Sequence, residues 1–147
     1  MGVGDRGKWA EGEIRKQLMI YSGWSSFAFM RLPDARAGSR TPTLADFMVM
    51  HKMQHSLLEV KEVKTHAYRL PHQNFDANKV SRIRAWQMAG SIGHVAVYFG
   101  PAKVWRYAPI DYFLEREGGS WDMRDCDMLT LKEVMVVMYG PPPGVKQ

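Results

Sequence analysis

The chain carries a single cysteine, Cys126. That excludes an internal disulfide and any cysteine-built zinc site, and it fits a reducing compartment such as the cytoplasm. No run of about eighteen apolar residues occurs, so no membrane span and no membrane partner are expected. The first six residues have no apolar centre of the kind a secretory leader needs. Gly2 does not begin a myristoylation signal, because residue 6 is Arg6 rather than Ser or Thr. Negative charge is in deficit: 15 Asp plus Glu stand against 20 Lys plus Arg, a net charge of +5. A basic balance favours polyanionic partners, nucleic acid above all. No repeat at solenoid spacing is present; the one local doublet is Glu59-Val60-Lys61-Glu62-Val63-Lys64.

What remains is 147 residues that are 46% hydrophobic, enough for one core, so a single domain over residues 1–147 is expected. Ile14, Leu18 and Tyr21 recur at helical spacing and predict a helix over residues 8–21. Residues 24–32 read as a strand, and residues 33–42 as a mobile basic loop rich in Pro, Gly and Arg. Residues 44–50 and 57–64 read as two further strands. Pro71 marks a linker, and a helix follows over residues 76–89, with Asp76 or Asn78 as cap and Gly90 as stop. Residues 94–99 form an apolar run suited to a buried central strand, with residues 103–107 as its hairpin partner. Two short helices are expected over residues 110–116 and 131–139, then a frayed tail over 141–147. The order implies an α/β fold: a mixed central sheet flanked by helices, with the first helix on one face.

The chemistry-bearing residues are Asp46, Glu59 and Lys61. Strand side chains alternate, so Glu59 and Lys61 point to the same side of the sheet. Antiparallel pairing of the second and third strands would bring Asp46 near Glu59. Two carboxylates can hold a hard divalent cation through oxygen, and an ammonium beside them can act on water or on a phosphate. Glu11 falls at the edge of the buried stripe of the first helix, whereas Glu13 is rotated about 100° from Ile14 towards solvent.

This succession resembles the PD-(D/E)xK nuclease superfamily, and within it the Holliday junction resolvases of the RecU type and, at the start of the chain, the archaeal Hjc type. The words Gly7-Lys8-Trp9-Ala10-Glu11-Gly12-Glu13-Ile14 are similar to the Gly-x-x-Ala-Glu-x-Glu-Leu opening of the archaeal group. Glu59-Val60-Lys61-Glu62-Val63-Lys64 is similar to the RecU strand Glu-Ala-Lys-Glu-Thr. Asn74-Phe75, the basic helix, Gln87 and the apolar strand then follow the RecU arrangement. The resemblance spans residues 7 to 99. It implies a restriction-endonuclease-like core with Glu11, Asp46, Glu59 and Lys61 as the catalytic set and Asp46, Glu59 and Glu11 around the metal. It implies Mg²⁺ as cofactor, with Mn²⁺ as a substitute, hydrolysis that leaves a 5′-phosphate, branched DNA as substrate and a homodimer that cuts two strands symmetrically. Small resolvases of this kind occur in phages, so a phage or bacterial source, and with it the bacterial cytoplasm, is the expectation. The chain departs from the pattern in three places: Ala45 precedes Asp46 where Thr is preferred, Lys79 stands where glutamine is expected, and the segment between Phe27 and Asp46 is shorter than the RecU stalk.

DNA contacts are expected from Arg31, Arg36 and Arg40 in and beside the loop, and from Lys79, Arg82 and Arg84 on the second helix, reading shape and phosphate rather than base edges. Competing readings exist. Glu62 and Lys64 form a rival Glu-x-Lys pair on the opposite face, and Asp34 after Pro33 mimics the name of the superfamily. His51, His55, His66, His72 and His94 lack the spacing of a zinc site. Two alternative functions stay open: another nuclease of this superfamily acting on duplex or ends, and a non-catalytic DNA-binding protein on the same fold.

Overall fold

The computed structural model describes residues 8–33, 43–113 and 119–144. Helix α1 (Lys8–Tyr21) leads into strand β1 (Phe27–Arg31), followed by β2 (Phe47–His51), β3 (Gln54–Val63) and β4 (Arg69–Pro71). Helix α2 (Ala77–Met88) precedes β5 (Ile92–Phe99) and β6 (Val104–Pro109); a 3₁₀ turn (Ile110–Phe113), β7 (Ser120–Asp122) and α3 (Leu131–Tyr139) complete the described chain. The main sheet runs β1-β2-β3-β5-β6. It is mixed: β3 and β5 are parallel and the other neighbours antiparallel. The parallel pair is joined across α2, as a parallel connection requires.

Both faces of the sheet are covered. Ala10, Ile14, Leu18 and Tyr21 of α1 and Val134, Met135 and Tyr139 of α3 bury one face against Phe47, Val49, Leu58, Val60, Ala96 and Trp105. Val80 and Ile83 of α2, with Phe75, Ile110, Phe113 and Trp121, cover Leu57, Val63, Val95, Val97 and Phe99 on the other. Asp76 caps α2, its side chain accepting from the Lys79 amide at 2.9 Å, and Thr130 with Glu133 forms a capping box on α3.

Several expectations shift. The second and third strands form a hairpin whose turn residues, Lys52 and Met53, both have positive φ, so β3 starts at Gln54 rather than residue 57. Asp46 stands one residue before its strand rather than within it. Residues 24–26 are turn, not strand. Only Ile110–Phe113 of the expected helix over 110–116 is described, and it is a 3₁₀ turn. Arg69–Pro71, expected as linker, pairs with Ser120–Asp122 in a separate two-stranded sheet. Residues 141–143 are half-buried rather than loose, anchored where the Tyr21 hydroxyl donates to the Gly140 carbonyl at 2.5 Å. The Thr43 hydroxyl donates to the Pro33 carbonyl at 2.9 Å; residues 34–42, with Asp34, Arg36 and Arg40 and most of the segment expected as a mobile basic loop, lie outside the described residues. No described helix is long and apolar enough to cross a membrane.

Candidate active site

The site forms where the sheet divides. Strand β2 pairs with β3 from Gln54 to Leu58, and its last ladder partner is Phe47 opposite Leu58. Beyond that point β3 runs on to Val63 with β5 as its partner. The amide of Val60 thus loses its neighbour on the β2 side, and an unpaired amide there is costly. Asp46 supplies the acceptor: its backbone amide donates to the Leu58 carbonyl at 3.2 Å, and its Oδ2 accepts from the Val60 amide at 2.7 Å. On the other side the Leu32 amide donates to the Asp46 carbonyl at 2.8 Å. Three hydrogen bonds to one residue fix the carboxylate at the fork of the sheet.

Glu59 reaches the same place from β3. Its side chain has no exposed surface. Lys79 Nζ of α2 lies 2.8 Å from Glu59 Oε2, and Lys61 Nζ lies 3.9 Å from the same oxygen. Neither oxygen receives a hydrogen bond of good geometry among the described residues, so these contacts act as charge against charge. Burial, then the charge of the adjoining Glu59, push the Asp46 carboxyl well above the usual carboxylate range, with the Val60 amide and Lys61 pulling the other way.

A cleft of about 590 Å³ opens over the fork, lined by Lys8, Glu11, Arg31, Asp46, Lys61, Lys64, Gln73 and Asn74 among others. Glu11 enters it from the first turn of α1, where it is gripped by Arg31: Nε to Oε1 at 2.8 Å and Nη2 to Oε2 at 3.4 Å. The four residues of the expected catalytic set therefore come to one region, Asp46 beside Glu59, Lys61 on the wall, and Glu11 turned onto Arg31. Among the described residues no three His, Cys, Asp or Glu side chains close around a single point. The metal-ligating chemistry on offer is the Asp46–Glu59 pair, two adjoining buried anions of the oxygen type that hard divalent cations select.

The remaining site residues separate by environment. Arg31 lies on the cleft. Lys79, expected on DNA, instead points at Glu59 and is mostly buried, its side chain 18% exposed. Arg82 is half-buried, with its Nε lacking a hydrogen bond among the described residues. Arg84 is exposed and borders a shallow depression with Ser81, Ala85 and Met88. The rival pair faces α1: Glu62 accepts from the Ala10 amide at 3.3 Å, an otherwise orphaned donor of the helix start, and Lys64 Nζ lies 3.9 Å from Glu62. Lys8 and Lys64 were not expected in the cleft; they reach it from the start of α1 and just past the end of β3. The histidines are dispersed: His55 pairs with Ser91 at 2.6 Å, His94 with Tyr107 at 2.6 Å, and His51 stacks on Trp24.

No protein-family model matches the chain, and no curated protein sequence matches it. Among solved structures it is similar to the Hjc Holliday junction resolvase of the archaeal hyperthermophile Archaeoglobus fulgidus, with a TM-score of 0.56 and 18% identity over 96% of this chain and 98% of that one. The five-stranded mixed sheet flanked by helices is thus the fold of that resolvase, matched along nearly the full length of both chains.

Proposed function

We propose that the protein is a divalent-metal-dependent endonuclease of the Holliday junction resolvase type, which hydrolyses phosphodiester bonds in branched DNA. The observation that carries the reading is the buried pair of carboxylates, Asp46 and Glu59, at the fork of a resolvase-like sheet with Lys61 on the cleft wall above them. An aspartate whose ionisation is made costly by burial and by the adjoining Glu59 suits a site built for a cation.

Mg²⁺, or Mn²⁺ in its place, would be held by Asp46 and Glu59 and would supply charge neutralisation at the phosphate and a more acidic water. The protein does the rest. The Val60 amide holds Asp46 in a fixed direction, and Lys61 presents an ammonium to the phosphate or the attacking water. Lys8, Arg31 and Lys64 offer cationic contacts along the cleft to the flanking backbone phosphates. In hydrolysis the water oxygen bonds to phosphorus, the bond to the 3′ oxygen breaks, and the 5′-phosphate remains. A four-way junction presents two strands for symmetric cutting, which calls for an isologous dimer.

The test compares a four-way junction, a fork and a linear duplex under Mg²⁺. Preferential, paired cuts in the junction are expected; equal rates on all three would replace the resolvase reading with a general duplex nuclease. Asp46→Asn should stop cleavage while DNA binding remains. Unchanged activity in that variant would remove the site.

A further inference from the structure

Lys79 occupies the position of an internal counter-cation. Its ammonium, carried on α2, lies 2.8 Å from Glu59 Oε2, closer than Lys61 at 3.9 Å on the same strand as Glu59. Glu59 lies beneath the floor of the cleft with no exposed side chain, whereas Asp46 and Lys61 line it. The helix that carries Lys79 is firmly seated. Val80 and Ile83 are buried on the sheet, and Gln87 bonds both the Gly93 amide at 3.0 Å and Asp111 at 2.9 Å. Asp76 caps the helix start by accepting from the Lys79 backbone amide. The ammonium is therefore delivered to Glu59 by a fixed element rather than by a wandering surface chain.

We propose that Lys79 is a positioning residue that neutralises Glu59 in the metal-free protein and must yield that carboxylate when a divalent cation binds. This rests on the nuclease reading of the Asp46–Glu59 pair. A cation and an ammonium cannot both take the same carboxylate oxygen at contact distance without strong repulsion. Binding of the ion thus displaces the lysine, and the apparent affinity falls by the fraction of molecules in which Glu59 is released. A glutamine at this position would offer Glu59 a neutral amide and impose no such competition. Lys61, more distant from Glu59 and open to the cleft, stays available to substrate. The division of labour assigns one lysine to the empty site and the other to the phosphate.

The experiment is calorimetric titration of Mn²⁺ into the DNA-free protein at mildly alkaline pH, for wild type, Lys79→Gln, Lys79→Arg and Glu59→Gln. Far-ultraviolet circular dichroism checks that each variant is folded. Lys79→Gln should bind Mn²⁺ about tenfold or more tightly than wild type, the competing cation having gone. Lys79→Arg keeps the charge and should bind no more tightly than wild type. Wild type that binds Mn²⁺ through Glu59, with Lys79→Gln equal or weaker, overturns this inference and leaves the nuclease reading standing. Absence of Mn²⁺ binding in wild type and in Lys79→Gln alike, or binding untouched by Glu59→Gln, overturns both. Should Lys79→Gln not fold, Lys79→Met takes its place as the uncharged variant and is read against the same two outcomes.

Discussion

The Asp46 carboxylate accepts the Val60 amide at 2.7 Å and so stands in for the ladder partner that β3 loses when β2 ends. The hydrogen bond alone would favour the ionised form, yet burial and the adjoining Glu59 outweigh it and hold the Asp46 carboxyl well above its ordinary range. A folded-state value above the unfolded one means that the folded protein binds the proton more tightly. Ionised Asp46 therefore subtracts stability at neutral pH, and that cost fades as pH falls from the raised value towards the ordinary carboxylate range. Asp46→Asn keeps an oxygen for the Val60 amide, removes the charge and gives Glu59 a donor. In the absence of metal it should raise the melting temperature by about 2–5 °C, the size of an effect of roughly 1 kcal/mol in a domain of this length. Mg²⁺ should stabilise wild type and not the variant. Thermal melts with and without Mg²⁺ check both statements, and a lower melting temperature in the metal-free variant would show that the two carboxylates do not oppose each other.

His94 lies in the core on the α1 side, where Nδ1 meets the Tyr107 hydroxyl at 2.6 Å and the ring sits edge-on to Tyr139. Burial lowers its pKa from 6.5 to about 4. Here the unfolded chain takes up the proton first. The stability that neutral His94 permits is whole above about pH 6.5 and is lost as the pH falls towards 4. The full loss is on the order of 3 kcal/mol, at about 1.4 kcal/mol per unit. Urea melts between neutral and acid pH should show the decline, and His94→Gln should flatten it in that window. A wild-type midpoint that is level across the window would mean that the ring is protonated or open to water in the folded state.

Much of this was legible in the sequence because it is local. Helical spacing placed α1, and hairpin logic placed Asp46 beside the 59–61 strand. Glu59 and Glu62 are hard to tell apart in the sequence, because β3 is apolar on both faces: Leu57 and Val63 on one, Leu58 and Val60 on the other. Alternation cannot say which face meets the fork. The β4–β7 sheet was missed because it pairs three-residue strands from distant parts of the chain, with Leu70 opposite Trp121, and Pro71 argues against a strand. Its reinforcement, the Trp121 indole donating to the Phe75 carbonyl at 2.7 Å, is tertiary too. Charge alone groups Lys79 with Arg82 and Arg84, but its spacing of four from Ile83 puts it on the buried side of the helix, where it meets Glu59.

Gly93 sets how closely α2 approaches the sheet. A Cβ at this position would lie 2.7 Å from Ile83 Cγ2, 2.8 Å from Ile110 Cγ2 and 2.9 Å from Ile110 Cβ. Both isoleucines are fully buried, so neither can swing away, and α2 or the 3₁₀ turn must shift instead. Gly93→Ala should cost about 1–3 kcal/mol by overpacking. Ile83→Leu, which moves the branch one carbon outward, should return part of that loss in the double variant; the contact with Ile110 remains. Because α2 also carries Lys79, the same substitution should loosen its hold on Glu59 and change Mn²⁺ affinity in a protein that is still folded. Urea midpoints at constant m-value report the first effect, and Mn²⁺ titration the second. A fully stable Gly93→Ala protein would mean that the helix has slack against the sheet, and the firm seating of Lys79 would lose its basis.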